Sequence, residues 1–302
     1  MKTRTGLLGV VVLATVFVGW SFAGDLNPPA GTVAPTMKTL DELEPRIAIN
    51  AANTPGNSTT QFVISQPGSY YLTGNINALG SRTAIRVDSD GVTIDLNGFE
   101  INGTGASGTP SGVSCLGLIN SAPTIRNGQI RNWPGIGVFM VGDGGVLEDL
   151  AISGNTAQGV QLSDHGAMRR CTLIGNGGIT VRTFDSCTVE DCTIETAGSS
   201  AIQSGSANLI RRNNIRATSA STDGVLANGI YTRVEDNNLS GTIGNIGISA
   251  ASNTFVARNT VFTSFAAEYN MSAGTKYGPI ITADGDLSTI TNADHPWANF
   301  VY

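Results

Sequence analysis

Arg182 is the charged member of a strand series whose outward positions are otherwise neutral, and Asp164, His165 and Asp185 lie in the adjoining turns. An arginine with two carboxyl groups and an imidazole is a set that can move a proton at a sugar ring. It is therefore the candidate catalytic group here, with calcium as cofactor only if the reaction is elimination beside a uronate carboxylate. The same residues have a structural reading as polar groups that stabilise turns, since Asp favours turns for its backbone hydrogen bonds. Gln161, Thr180 and Gln203 in the same series offer hydrogen bonds to a bound glycan, with Trp133 or Tyr231 as stacking surfaces. Trp133, followed by Pro134, also reads as a packed corner.

These residues are positioned by a repeat. Val189-Glu190-Asp191-Cys192-Thr193-Ile194 returns 21 residues later as Ile210-Arg211-Arg212-Asn213-Asn214-Ile215, with apolar ends kept and both charges reversed. The first apolar position recurs at Ile94, Ile125, Leu147, Met168, Val189, Ile210, Val234 and Val256. The second runs in step at Phe99, Ile130, Ile152, Leu173, Ile194, Ile215, Leu239 and Val261. A third series, usually preceded by Gly, reads Val138, Val160, Ile179, Ile202, Val225 and Ile248. Three short strands in about 22 residues describe one rung of a parallel β-helix, a solenoid in which each rung contacts its neighbours. Eight such rungs predict a rod on the order of 35–40 Å long.

Stacking makes alignment columns into physical neighbours. One column reads Arg126, Glu148, Arg169, Glu190, Arg211, Glu235, and the next holds Asp149, Arg170, Asp191, Arg212, Asp236 and Arg258. Both alternate in sign, which predicts an ion-pair ladder that sets rung register and keeps its carboxylates ionised, rather than a catalytic site. The following column, Cys171, Cys192, Asn213, Asn237, Asn259, predicts stacked side-chain amides at a turn. Cys171 and Cys192 would stand within disulfide range, and two buried free thiols are the equal alternative. Cys115 and Cys187 have no evident partner, and no metal-ligand pattern is present.

Composition agrees with a turn-dense β protein: 38 glycines, 13% charged and 6% aromatic residues in 302. Residues 1–23 have the basic start, apolar core and small-x-small end of a secretory signal peptide, which predicts a secreted, cell-surface or periplasmic protein with no membrane attachment after cleavage. Loss of Lys2 and Arg4 moves the formal net charge from −6 two units further, to −8. That balance argues against nucleic acid as a partner, because such binding rests on basic groups displacing counterions. Residues 24–60 read as an N-terminal extension with a short helical cap, in which Thr39 to Glu42 fits a capping box and Leu40, Leu43 and Ile47 share a face. The expected β-helix domain is 61–263, with an irregular C-terminal cap over 264–302.

The rungs resemble the right-handed parallel β-helix, or pectin-lyase-like, superfamily over roughly residues 61–262. The flanks Gly24-Asp25-Leu26-Asn27-Pro28-Pro29, Pro35-Thr36-Met37-Lys38-Thr39-Leu40 and His295-Pro296-Trp297-Ala298-Asn299-Phe300 resemble those of exported β-helix repeat proteins of planctomycete-type bacteria. The resemblance implies handedness and includes polysaccharide lyases and hydrolases, tailspikes and proteins without known chemistry, so the fold does not decide the function. The polygalacturonase pattern Asn-Thr-Asp, Asp-Asp, Gly-His-Gly is absent, and Asp164-His165-Gly166 has no Asp-Asp pair upstream. The expectation is a noncatalytic surface or polysaccharide-associated protein that binds a polysaccharide or cell-surface glycan. Its rival is a polysaccharide lyase or glycoside hydrolase acting on an acidic or plant or algal polysaccharide.

Overall fold

The structure is a computed structural model that describes residues 45–116, 122–241, 244–262, 265–282 and 284–302. These residues form an all-β parallel solenoid of about 11 turns, each of about 22 residues. Each full rung supplies two strands to a 20-stranded sheet and one to a 10-stranded sheet. One rung runs Ala167–Arg169, Thr172–Asn176, then Ile179–Thr183. The next runs Thr188–Glu190, Thr193–Thr196, then Ser200–Ser204. Every strand pairs with its counterpart one rung away in parallel register, for example Met168 with Val189, Leu173 with Ile194 and Val181 with Ile202.

The core is the set of inward columns. Ile125, Leu147, Met168, Val189, Ile210, Val234 and Val256 stack in register, as do Ile130, Ile152, Leu173, Ile194, Ile215, Leu239 and Val261, and all are buried. Burying an apolar column along the whole solenoid is the main stabilising term, at about 1.5–3 kcal/mol for each side chain removed from water.

Two anchors of the sequence pattern shift. The member of the third series in its rung is Val181, not Ile179, because Val160 pairs with Val181. The step from Leu173 to Val181 matches that from Ile152 to Val160, so the regular spacing itself lands on Val181, and Ile179 falls at the strand's start opposite Ser200. Likewise Ile101, not Phe99, pairs with Ile130, since the bend through Asn97 and Gly98 is longer in that rung.

The helical cap is not supported. Thr39 to Glu42, Leu40 and Leu43 lie outside the described residues, and Ile47, assigned to a helix face, instead begins a strand that pairs with Tyr70 and Tyr71. Among the described residues the one helical turn is the 3-10 segment Leu287–Thr289. Strand pairing also crosses both expected domain boundaries. Ile47–Ala48 joins the solenoid before residue 61, and Phe265–Met271 and Asn299–Val301 extend it past residue 263.

The C-terminal closure has non-sequential order. Asn299–Val301 lies between Thr260–Val261 and Ile280–Ile281, pairing with both, although it follows both in the chain. It thereby places Asn299 at the end of the amide column, where its Oδ1 accepts from the Asn259 backbone N–H at 3.1 Å and from Asn259 Nδ2 at 3.2 Å.

Candidate functional site: the outward face of the ten-stranded sheet

The two ladder columns gather twelve charged side chains along one bend of the solenoid. The bend between the two strands of the larger sheet takes one left-handed residue per rung: Asn127, Asp149, Arg170, Asp191, Arg212, Asp236 and Arg258, with φ between 51° and 59°. That bend turns each of these side chains outward beside its neighbour. The pairing in this column is discrete rather than continuous. Arg170 Nε reaches Asp149 at 2.8 Å, Arg212 Nε reaches Asp191 at 2.7 Å and Arg258 Nε reaches Asp236 at 2.6 Å. Each arginine also donates Nη2 to the same carboxylate, the bidentate form. The hydrogen bonds from these arginines hold the Asp149, Asp191 and Asp236 carboxyls below the usual range.

In the adjoining column Glu190 is buried. It meets Arg169 at 3.2 Å from one neighbouring rung, and Arg211 at 2.7 Å and Arg212 at 3.0 Å from the other. An open depression of ≈ 410 Å³ on this side is lined by Asp149, Arg170 and Gln129 among others, and both its charges are already paired.

Behind the ladder, Asn213, Asn237, Asn259 and Asn299 form a continuous amide column; Asn213 Nδ2 donates to Asn237 Oδ1 and Asn237 Nδ2 to Asn259 Oδ1, both at 3.0 Å. Cys192 joins it through its backbone N–H, 3.0 Å from Asn213 Oδ1. The Cys171–Cys192 bridge is not formed: all four cysteines are buried free thiols. A hydrogen bond between the neighbouring thiols lowers the pKa of Cys171 and, with burial, raises that of Cys192. Burial pushes Cys115 up to about 12 and Cys187 up to about 11.

The candidate catalytic set is not assembled. Asp164, His165 and Asp185 belong to the bend that leads from the smaller sheet to the larger. His165 fills the left-handed place in that bend, φ 59°, a place taken in neighbouring rungs by Gly144, Ser186 and Ala207. Asp164 Oδ1 accepts the Asp185 backbone N–H at 2.9 Å, and Asp185 Oδ1 accepts that of Ser206 at 2.7 Å. Each carboxylate thus ties its turn to the next rung.

Arg182 stands apart on the strand face, in register with Gln161 on one side and Gln203 on the other. Its guanidinium lies 5.4 Å from the centroid of Phe184, and it makes no ion pair among the described residues. Thr183, Phe184, Gln203, Ser204, Gly205 and Asn228 surround it in a shallow depression of ≈ 180 Å³. Phe184, whose ring meets the guanidinium, is absent from the residues singled out on sequence. Strand alternation alone puts Phe184, two residues on, beside Arg182.

Two assigned binding residues are corrected. Thr180 is wholly buried and hydrogen-bonds Thr196 Oγ1 at 2.9 Å. Its column is otherwise Gly137, Gly159, Ala201, Gly224 and Gly247, the inside of a corner where a Cβ on Gly159 would meet the Thr180 carbonyl oxygen at 2.7 Å. Trp133 is also wholly buried, with Nε1 donating to the Ile101 carbonyl at 3.2 Å, so it is the packed corner and not a stacking surface. Tyr231 is 65% exposed, but it occupies the left-handed bend position, φ 62°, outside the sheet face.

Stacked parallel rungs, two bends held by left-handed residues and a stacked amide column define a parallel β-solenoid. Residues 64–215 match the family model described as a right handed beta helix region, and the chain belongs to that family. Among solved structures, the Dettilon tailspike protein is similar with a TM-score of 0.51 at 12% identity, over 80% of this chain and 60% of that one. The Azotobacter vinelandii mannuronan C-5 epimerase AlgE6 A-module gives 0.41 at 13% identity, over 78% and 88%. An alginate lyase from Paenibacillus sp. gives 0.31 at 15%, over 76% and 98%. The tailspike likeness bears on the fold alone, and this chain spans about three-fifths of the tailspike chain. No curated protein matches the sequence.

Proposed function

We propose that this protein is an exported, noncatalytic polysaccharide-binding β-helix protein of a planctomycete-type bacterium, and that its ligand lies along the ten-stranded sheet over Arg182. One observation carries the noncatalytic reading. Asp164 and Asp185, the carboxylates of the turns that follow the Gln161 and Arg182 strands, are occupied as backbone caps between rungs, and neither pairs with the arginine. Glycoside hydrolysis needs two carboxyl groups flanking one bond, and the depression around Arg182 contains none. What that depression offers is a free guanidinium fork against an aromatic ring, with amide side chains at the rung spacing on both sides. Such a fork suits a carboxylate or sulfate on a repeating sugar.

The rival, a polysaccharide lyase, draws on the same unpaired Arg182 as base. A glycan array followed by turnover assays on uronate polymers, with and without calcium, separates the two. Binding without turnover, weakened by Arg182→Ala, is expected. Turnover that Arg182→Ala abolishes would establish the lyase, and failure to bind any glycan would remove the binding reading.

A further inference from the structure

The segment that closes the solenoid carries an aromatic side chain that the closure does not bury. Ala298 and Asn299 enter the end of the core at 3% and 0% exposure, whereas Trp297, the residue before them, is 51% exposed. Its backbone is pinned nonetheless. The Trp297 carbonyl lies against Gly278, where a Cβ would stand 1.7 Å from the oxygen, and its N–H donates to His295 Nδ1 at 3.2 Å. Phe255 meets the indole edgewise at 6.0 Å and 82°, and His295 at 5.8 Å and 68°. Neither ring lies parallel to the indole, so it has support without a stacked partner.

One cation without an ion pair among the described residues, Lys276, stands beside the supporting ring. Arg233, Phe255 and Lys276 are neighbours in register on successive rungs. The Arg233 guanidinium sits 4.9 Å over the Phe255 ring and is paired with Glu235 at 2.9 Å, while Lys276 is exposed and makes no ion pair among the described residues. A large hydrophobic surface held rigid costs little conformational entropy when a ligand packs on it. One indole beside a free ammonium is too small for a protein interface, which needs a contiguous patch of several hundred Å². Its size and charge match one pyranose ring that presents an apolar C–H face to the indole and a carboxylate to the lysine.

We infer that Trp297, supported by Phe255 and His295 and flanked by Lys276, is a stacking subsite for an acidic sugar ring at the C-terminal end of the solenoid. Phe255 and Lys276 lie on the larger sheet and Trp297 in the turn before the last strand, whereas Arg182 lies on the smaller sheet. The inference shares with the proposed function a glycan ligand but not a binding face.

The test uses the full chain and follows tryptophan fluorescence and calorimetry as hexagalacturonate or maltohexaose is added, in the wild type and in Trp297→Ala, Trp297→Phe, Lys276→Gln and Arg182→Gln. The acidic oligomer should change the emission saturably in the wild type and in Arg182→Gln. By calorimetry, Trp297→Ala should weaken binding of the acidic oligomer at this subsite about tenfold, Trp297→Phe should retain part of it, and Lys276→Gln should erase the preference for the acidic oligomer. If calorimetry shows binding that Arg182→Gln removes while the emission stays constant, the subsite is overturned and the proposed function stands. An emission change that follows protein concentration without sugar would overturn it in favour of a second copy of the chain. No binding of either oligomer would overturn the subsite, and the glycan array would still decide the proposed function.

Discussion

Asn259 and Asn299 are 40 residues apart in sequence yet are successive members of one amide column, joined through Nδ2 to Oδ1 at 3.2 Å. Elsewhere the column advances by 22 to 24 residues. The difference arises because the chain makes an excursion through Ile280–Ile281 and Leu287–Thr289 before its last strand inserts beside Thr260–Val261. Asn299→Leu should leave the Asn259 amide without its acceptor in a buried setting, at a cost of about 1–3 kcal/mol. Urea unfolding would register this as a lower midpoint. An unchanged midpoint would mean that the last strand does not close the solenoid.

Glu190 gathers three arginines while its own side chain is buried. Glu190→Gln keeps the shape and removes the charge, leaving those guanidinium groups to repel one another. The expected loss is about 1–2 kcal/mol by chemical denaturation, limited by the exposure of the arginines. Arg216→Gln, at the exposed pair with Glu195, should shift stability by no more than about 0.5 kcal/mol.

Acid should act through the bend carboxylates. Asp149, Asp191 and Asp236 are held below their ordinary pKa by their arginines. A depressed folded-state value contributes stability that is fully present above the unfolded Asp value, about 3.9, and is lost as pH falls through the folded value. The thermal midpoint should therefore be flat from neutral pH to about 5 and decline below about 4. The triple variant Asp149→Asn, Asp191→Asn, Asp236→Asn should flatten that decline.

Ala207 occupies the left-handed bend position with φ 56°. An L-residue there costs about 1–2 kcal/mol, which glycine avoids at some entropic expense. Ala207→Gly should raise the melting temperature slightly, and the β-branched Ala207→Ile should lower it by several degrees.

The buried thiols give a count. Titration in denaturant without reductant should find four reactive thiols, and the native protein should react slowly because all four are buried. Two thiols instead of four would show that Cys171 and Cys192 had closed into a disulfide.

The rung period, the apolar columns and the sign alternation of the ladder were legible in the sequence because a solenoid repeats one local conformation. Equivalent residues must be alike when they face the core and complementary when they stack at the surface. Val189 to Ile194 and Ile210 to Ile215 carry that information in six residues each. Where a bend changes length, the period alone misplaces a residue: the bend through Asn97 and Gly98 moves the core position from Phe99 to Ile101. In the third series Ile179 and Val181 are both β-branched and two residues apart, and strand pairing selects Val181 and turns Thr180 inward. The left-handed geometry of Arg170, Arg212 and Arg258 has no signal in residue type, since arginine does not favour it; the stacked bend imposes it and the ion pairs compensate.

Sequence by itself determined the parallel β-solenoid, its ladders and its amide column, since these depend on contacts between neighbouring repeats. Tertiary structure alone decided that Asp164 and Asp185 are turn caps, that Arg182 is left without a carboxylate, and that Asn299 completes the column while Trp297 stays at the surface. Each of those depends on which way a side chain leaves a bend, or on where a strand inserts out of order. Neither is encoded in spacing.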